Sequence, residues 1–271
     1  MTGVEIDPQS FGIAADDYAT HRAGFPPTTF DRLADFGIGQ AGQRVVDVGT
    51  GTGSIARQLA ARDAVVTGID PDVRLMRQGA ILADAEAVEI AWREGTAENT
   101  GLPTGETDAV TAGQCWHWFD RPAAIAEARR ILVPTQGRLV ILHFDWLPLP
   151  ENVVAATEEL IEAHNPAWHM GGGTGMWPQW IPDVQAGGFT DIETFSFDTA
   201  VPYSHTAWRG RIRASAGITA LDPQATEAFD QALAKRLSRD FPNEPLLIPH
   251  RVWVMVATAP TGESEDTNPA V

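Results

Sequence analysis

The chain has 271 residues, 44% of them hydrophobic and 20% charged, an ordinary globular composition with length enough to bury a large core. Its 36 acids against 19 bases leave a net charge of -17, a field that repels polyanions and argues against nucleic acid as a partner. Cys115 is the sole cysteine, which excludes an intrachain disulfide and a cysteine-built zinc site. No apolar run reaches bilayer length, and the opening MTGVEIDPQS lacks the features of a signal peptide, so a cytoplasmic protein without a membrane span is expected.

Residues 13 to 36 have the apolar spacing of two helical pieces broken by Pro26 and Pro27, and residues 1 to 43 are expected to form a helical arm. In it Tyr18 and Arg22 stand one helical turn apart and share a face. The run VVDVGTGTGSIARQLA, residues 45 to 60, then reads as a buried strand, a glycine-rich turn and a helix start. Gly49, Gly51 and Gly53 remove three β-carbons where the backbone must turn tightly and let a ligand approach, with Thr50 between the first two. Ser54 is placed to cap the helix.

Such a turn serves several cofactors, but its spacing narrows the choice. A dinucleotide fingerprint wants its third glycine one position later, where Ser54 stands. Asp47 adds a carboxylate that would repel a pyrophosphate and attract the ammonium of a methionine moiety, which favours S-adenosyl-L-methionine (SAM).

A second strand, Val65 to Ile69, ends in Asp70, about 20 residues after the turn, where an acid at the strand tip can accept both ribose hydroxyls. A third, Val88 to Trp92, leads into GTAENTGLP with Ala97 and Glu98 at its centre. The fourth, Ala109 to Ala112, opens into GQCWHWFDRPAA, where aromatics crowd His117. A helix from Pro122 to Leu132 and a fifth strand, Gly137 to His143, follow. In an open parallel sheet ligands bind beyond the carboxyl ends of the strands, which brings Gly49, Asp70, Gln114, His117 and His143 to one edge.

From Phe144 the pattern changes to a helix, the glycine-rich loop HMGGGTGM and a further helix. The loop has neither a preceding strand nor the lysine of a phosphate-binding loop and reads as a flexible lid. A sixth strand is expected at Ile192 to Phe197, helices at 204 to 217 and 222 to 239, a last strand from His250, and a disordered tail over 259 to 271. Eight of the nine tryptophans follow residue 115, which hints at an apolar or aromatic ligand under a roof of indoles.

The motifs Y-x-x-x-R-x-G-F-P (Tyr18 to Pro26), DVGTGTG (Asp47 to Gly53), GID (Gly68 to Asp70), GTAE (Gly95 to Glu98) and QCWHWFD (Gln114 to Asp120) occur in this order. Together they resemble the class I SAM-dependent methyltransferases with a seven-stranded Rossmann-like sheet, and within them a small-molecule group resembling trans-aconitate methyltransferase-like enzymes. The resemblance implies an α/β fold, a mostly parallel seven-stranded sheet with an antiparallel last strand and a helical cap. The methyltransferase domain would span 44 to 258, with cap insertions at 144 to 177 and 202 to 249. It also implies that Asp47, Gly49 and Gly51 hold the methionine part, Asp70 the ribose, and Ala97 with Glu98 the adenine. Gln114 and Trp116 would line the sulfonium end, and Tyr18 and Arg22 would close over the methionine carboxylate. In the first motif the group often has R-P-x-Y-P where this chain reads Arg22-Ala23-Gly24-Phe25-Pro26.

The expected partner is a small-molecule acceptor methylated on oxygen or nitrogen, the protein being a monomer or homodimer. A nicotinamide-dependent oxidoreductase and a non-catalytic SAM-fold subunit are the alternatives. A carboxylate acceptor would need only an anchoring cation, for which Arg251 or Arg213 is placed, whereas a phenol, alcohol or protonated amine must lose a proton. Histidine suits that task, and His117 is preferred over His143 because it follows the residues at the sulfonium end. No metal is expected, since no ligand spacing falls near the strand ends.

Overall fold

A computed structural model describes residues 23 to 261, so Tyr18, Arg22, most of the arm and residues 262 to 271 lie outside the described residues. Seven strands form one sheet in the order β3-β2-β1-β4-β5-β7-β6. They are β1 (Arg44–Val48), β2 (Val65–Asp70), β3 (Ile90–Glu94), β4 (Ala109–Gly113), β5 (Arg138–Trp146), β6 (Thr190–Tyr203) and β7 (Leu246–Thr258). The first five are parallel, and β7 is inserted antiparallel between β5 and β6. This is the expected α/β sheet with an antiparallel last strand.

Strand alternation sends side chains to two cores. Val46 and Val48 of β1, Leu139 and Ile141 of β5 and Trp253 and Met255 of β7 face helices α4 (Arg121–Ile131) and α6 (Ile181–Ala186). Val45, Val140, Leu142, Val252 and Val254 face α1 (Pro27–Asp35) and α2 (Ala56–Ala60). Helix α3 (Val73–Ala85) follows β2 and is capped by Asp72, whose carboxylate accepts the Arg74 N–H.

A third cluster belongs to the cap. Val154 and Ile161 of α5 (Val153–His164), Trp208 and Ile212 of α7 (His205–Arg213) and Phe229, Leu233 and Leu237 of α9 (Pro223–Asp240) pack together. Tyr203 and Ile248, from the ends of β6 and β7, join them, and the short α8 (Ala216–Thr219) completes the layer. Residues 153 to 164 and 203 to 248 thus contribute to one apolar core built on the extended tips of the last hairpin.

Several boundaries differ from expectation: β3 lies two residues later, β5 runs on to Trp146, and the helix expected at 204 to 217 is two, α7 and α8. Helix α2 starts at Ala56, with Ile55 and not Ser54 at its cap, because residues 51 to 55 are turn and the carbonyl of Gly53 already accepts the Arg57 N–H. Strands β6 and β7 run well past the apolar segments that announce them, because they pair with each other through Tyr203 and Leu246. Pro202 is tolerated there since β6 is an edge strand.

Candidate active site

The carboxyl ends of β1, β2, β4 and β5 open onto a cavity of about 610 Å³, roofed by the cap. The glycine turn forms its floor. Gly49, Gly51 and Gly53 all have positive φ, at 65°, 55° and 75°, a region glycine enters without the cost other residues meet. A β-carbon on Gly49 would stand 2.8 Å from Sγ of Cys115, whereas one on Gly51 would meet nothing within 4 Å.

Asp70 and Gly51 both line the cavity and are bonded to each other. One oxygen of the Asp70 carboxylate accepts the Gly51 N–H at 2.8 Å and the other accepts the Asp72 N–H at 2.8 Å. A carboxylate has about four acceptor sites, so lone pairs remain for a ligand's hydroxyls. Burial pushes its pKa up, against those two backbone donors.

Asp47 is placed otherwise than the sequence reading expects. It is buried beneath the turn, where its oxygens accept the hydroxyls of Thr50 at 2.6 Å and Thr111 at 2.7 Å. Its pKa is pushed up to about 6 by burial, with the hydroxyl bonds and the Ala56 N–H working the other way. Asp47 braces the turn, and the cavity is lined without it.

Of the other expected positions, Gln114 lines the cavity at a positive φ of 63°, its side-chain amide donating to the Phe144 carbonyl. Trp116 is almost wholly buried in the core against α4, and Ala97 is buried in the same cluster. Glu98 accepts the Asp120 N–H at 3.0 Å, tying the loop after β3 to the start of α4. None of these three lines the cavity.

His117 and His143 are brought together, ring centroids 5.4 Å apart, on the cavity wall. His143 is 1% exposed, and its Nδ1 lies 3.3 and 3.4 Å from the two carboxylate oxygens of Asp145. A carboxylate only accepts, so Nδ1 carries the hydrogen and Nε2 of a neutral ring keeps a lone pair. Among the described residues that Nε2 has no hydrogen-bond partner. Asp145 is itself fixed by the indole N–H of Trp177 at 2.8 Å. The sequence reading passes over Asp145, although its spacing of two from His143 on a strand puts both on one face.

The roof is aromatic, as the tryptophan distribution suggests. Trp118, Trp146, Trp168 and Trp177 line the cavity, while Trp180, Trp208 and Trp253 are core residues. Glu158 of α5 joins roof to wall, accepting the Trp146 indole N–H and the Gly172 N–H, both at 2.8 Å. Arg213 pairs with Asp230, and Arg251 pairs with Asp198 and donates to the Thr174 carbonyl. Arg211 does line the cavity, its guanidinium 4.8 Å from the Trp146 ring centroid. A second concavity of about 720 Å³ lies between α4 and α6, near Leu132 and Pro134.

Residues 46–141 match the family model described as a methyltransferase domain. An uncharacterized methyltransferase of Mycobacterium bovis is 37% identical over 130 residues, 48% of this chain and 50% of its own length. The chain spans about half the length of the first curated relatives it matches. Among solved structures, a type II methyltransferase of Anaeromyxobacter dehalogenans, described as putative, aligns with a TM-score of 0.59 at 20% identity, covering 89% of this chain and 99% of that one. Phosphoethanolamine N-methyltransferase 2 of Haemonchus contortus, in complex with phosphomonomethylethanolamine and S-adenosylhomocysteine, aligns at 0.56 with 17% identity, covering 94% of this chain and 58% of that one. The fold is the Rossmann-like methyltransferase fold.

Proposed function

We propose that this chain is a SAM-dependent methyltransferase acting on a small molecule, in the group the sequence motifs resemble. The observation that carries this reading is the joint placement of Asp70 and Gly51 on the floor of a cavity with an aromatic roof. The matching family model and the relatives' names support it.

When bound, SAM supplies a methyl group on a positively charged sulfur, ready for attack by a nucleophile. In this reading the turn from Gly49 to Gly53, braced by Asp47 through Thr50, receives the methionine part, and Asp70 accepts the ribose hydroxyls. The loop carrying Ala97 and Glu98 borders the adenine end, and Gln114 the sulfonium end, with Trp116 supporting that wall from the core. Tyr18 and Arg22, outside the described residues, are proposed to close over the methionine carboxylate. The indole roof orients the acceptor and excludes water, which gives most of what an in-line methyl transfer asks of a protein. Among the described residues no group of three or more His, Cys, Asp or Glu is arranged to hold a metal, and no helix is long and apolar enough to cross a membrane.

Calorimetry with SAM, S-adenosylhomocysteine and NADH tests the reading. The expected result is binding of the first two and none of the third. NADH binding without SAM binding overturns it.

A further inference from the structure

We propose that His143, held by Asp145, is the catalytic base that takes the hydroxyl proton of a planar phenolic acceptor in the aromatic half of the cavity. This rests on the methyltransferase reading and goes beyond it in naming the base, its positioning residue and the acceptor class.

The first observation is the orphaned ring nitrogen. Buried polar atoms are nearly always partnered, so a side chain 1% exposed with an unpartnered Nε2 on a cavity wall is built to meet a ligand. The second is orientation: Asp145 fixes the hydrogen on Nδ1, Trp177 fixes Asp145, and the lone pair of Nε2 is thereby held for a proton. His117 sits between Trp118 and His143 as part of the wall.

The acceptor class follows from which charges are already committed. An ammonium substrate needs a carboxylate, but Asp145 is engaged by His143 and Trp177, and Glu158 by Trp146 and Gly172. The cations singled out for a carboxylate substrate, Arg213 and Arg251, are paired with Asp230 and Asp198, and Arg211, which does line the cavity, lies over the Trp146 ring. What the walls offer is indole surface, which favours a flat apolar molecule. A neutral acceptor must still lose a proton, and a phenol, at pKa about 10, is within reach of an imidazole where an alcohol, close to water's 15.7, is not. The phenol O–H bond breaks with its proton going to Nε2. The oxygen forms a bond to the methyl carbon, and the electron pair of the broken carbon–sulfur bond stays on sulfur. The imidazolium then returns its proton to solvent.

The other titratable or charged groups around His143 are Asp145 on its own strand, His117 after β4, Arg251 opposite Asp145 on β7, and Glu158 and Arg211 from the cap. Trp177, Trp180 and Trp253, also beside His143, carry no titratable group.

The test uses the full chain with three probes on one planar frame: 2-naphthol, 2-naphthoate and 2-naphthylmethylamine. Calorimetry first establishes SAM binding, so that a failure of the methyltransferase reading is seen separately. With SAM bound, 2-naphthol is expected to be methylated and the other two not. His143→Gln is expected to lower kcat by about 10² to 10⁴ and to remove the acidic limb of the pH profile, SAM affinity being unchanged. Nitrogen-15 NMR of the S-adenosylhomocysteine complex is expected to find His143 with its hydrogen on Nδ1, and Asp145→Asn to disturb that tautomer and lower kcat. Methylation of the naphthoate or the amine in preference to 2-naphthol, no turnover of 2-naphthol by SAM-loaded protein, a loss under about tenfold in His143→Gln, or a hydrogen on Nε2 overturns the proposal.

Discussion

Asp70 at the tip of β2 holds Gly51 in the turn after β1, its Oδ2 accepting the Gly51 N–H at 2.8 Å across 19 residues of sequence. The glycine turn and the strand-tip acid are therefore one mechanical unit, and the acid that would meet the ribose also sets the height of the floor. Asp70→Ala removes a charged acceptor from two backbone donors and from the ligand. Loss of such a partner costs about 1.5 to 3 kcal/mol, or roughly ten- to a hundred-fold in SAM affinity by calorimetry, accompanied by a lower Tm. An unchanged dissociation constant would leave Asp70 as a brace only.

The first two glycines of the turn should separate stability from binding. At Gly49 an alanine meets both a left-handed backbone, costing about 1 to 2 kcal/mol, and the Cys115 side chain, so Gly49→Ala is expected to lower Tm sharply. At Gly51 the backbone penalty is similar, but the new methyl enters open space on the cavity floor. Gly51→Ala is expected to lose more in SAM affinity than in Tm, and thermal melts beside calorimetry for the pair check the contrast.

Much of this was legible because it is local. A β-branched run, three glycines and an acid at the next strand end specify a turn and its ligand edge, since those residues answer to backbone demands a few positions away. The setting of Asp47 was not legible for the opposite reason: its partner Thr111 comes from 64 residues further along, and only sheet register brings the two together. Trp116 is likewise turned into the core by a short 3₁₀ turn, Trp116–Trp118, whose direction no periodicity encodes. The His143 and Asp145 pair was within reach, because strand alternation alone puts them on one face once β5 is extended to Trp146.

Asp47 gives stability a defined dependence on pH. Its carboxyl is raised from the usual range to about 6 in the folded protein, so between roughly pH 4 and 6 the native state holds a proton that the unfolded chain has released. Its contribution to stability is therefore present at low pH and declines as pH rises through that window. Asp47→Asn has no such slope, so its stability relative to the parent should climb across the window, by at most about 3 kcal/mol, and level off above it. Denaturant melts of both proteins at pH 4, 5, 6 and 7 read the difference directly. A constant offset at all four values would place the Asp47 pKa in the ordinary range.

The last prediction concerns the bridge that Glu158 makes from α5 to the glycine-rich segment of the roof. One carboxylate accepts two donors that point at it from different elements, the Trp146 indole at the end of β5 and the Gly172 amide in the loop. Gly172 has a φ of 72° and open space around it, so nothing in its own packing holds the loop at that point. Burial pushes the Glu158 pKa up, which means that the site gives up solvation to keep this bridge. In Glu158→Gln one side-chain oxygen can still accept, but the amide nitrogen meets a second donor and that bond is lost. With a hydrogen bond to a charged group removed, local opening of the segment should become easier by about 1 to 3 kcal/mol, raising exchange of the Gly172 amide by roughly five- to a hundred-fold. Hydrogen exchange followed residue by residue should find that increase over residues 169 to 176 while amides in the centre of β5 and β7 stay protected. Equal protection of Gly172 in the variant and the parent would transfer the task of holding the roof to Arg251, whose guanidinium donates to the Thr174 carbonyl.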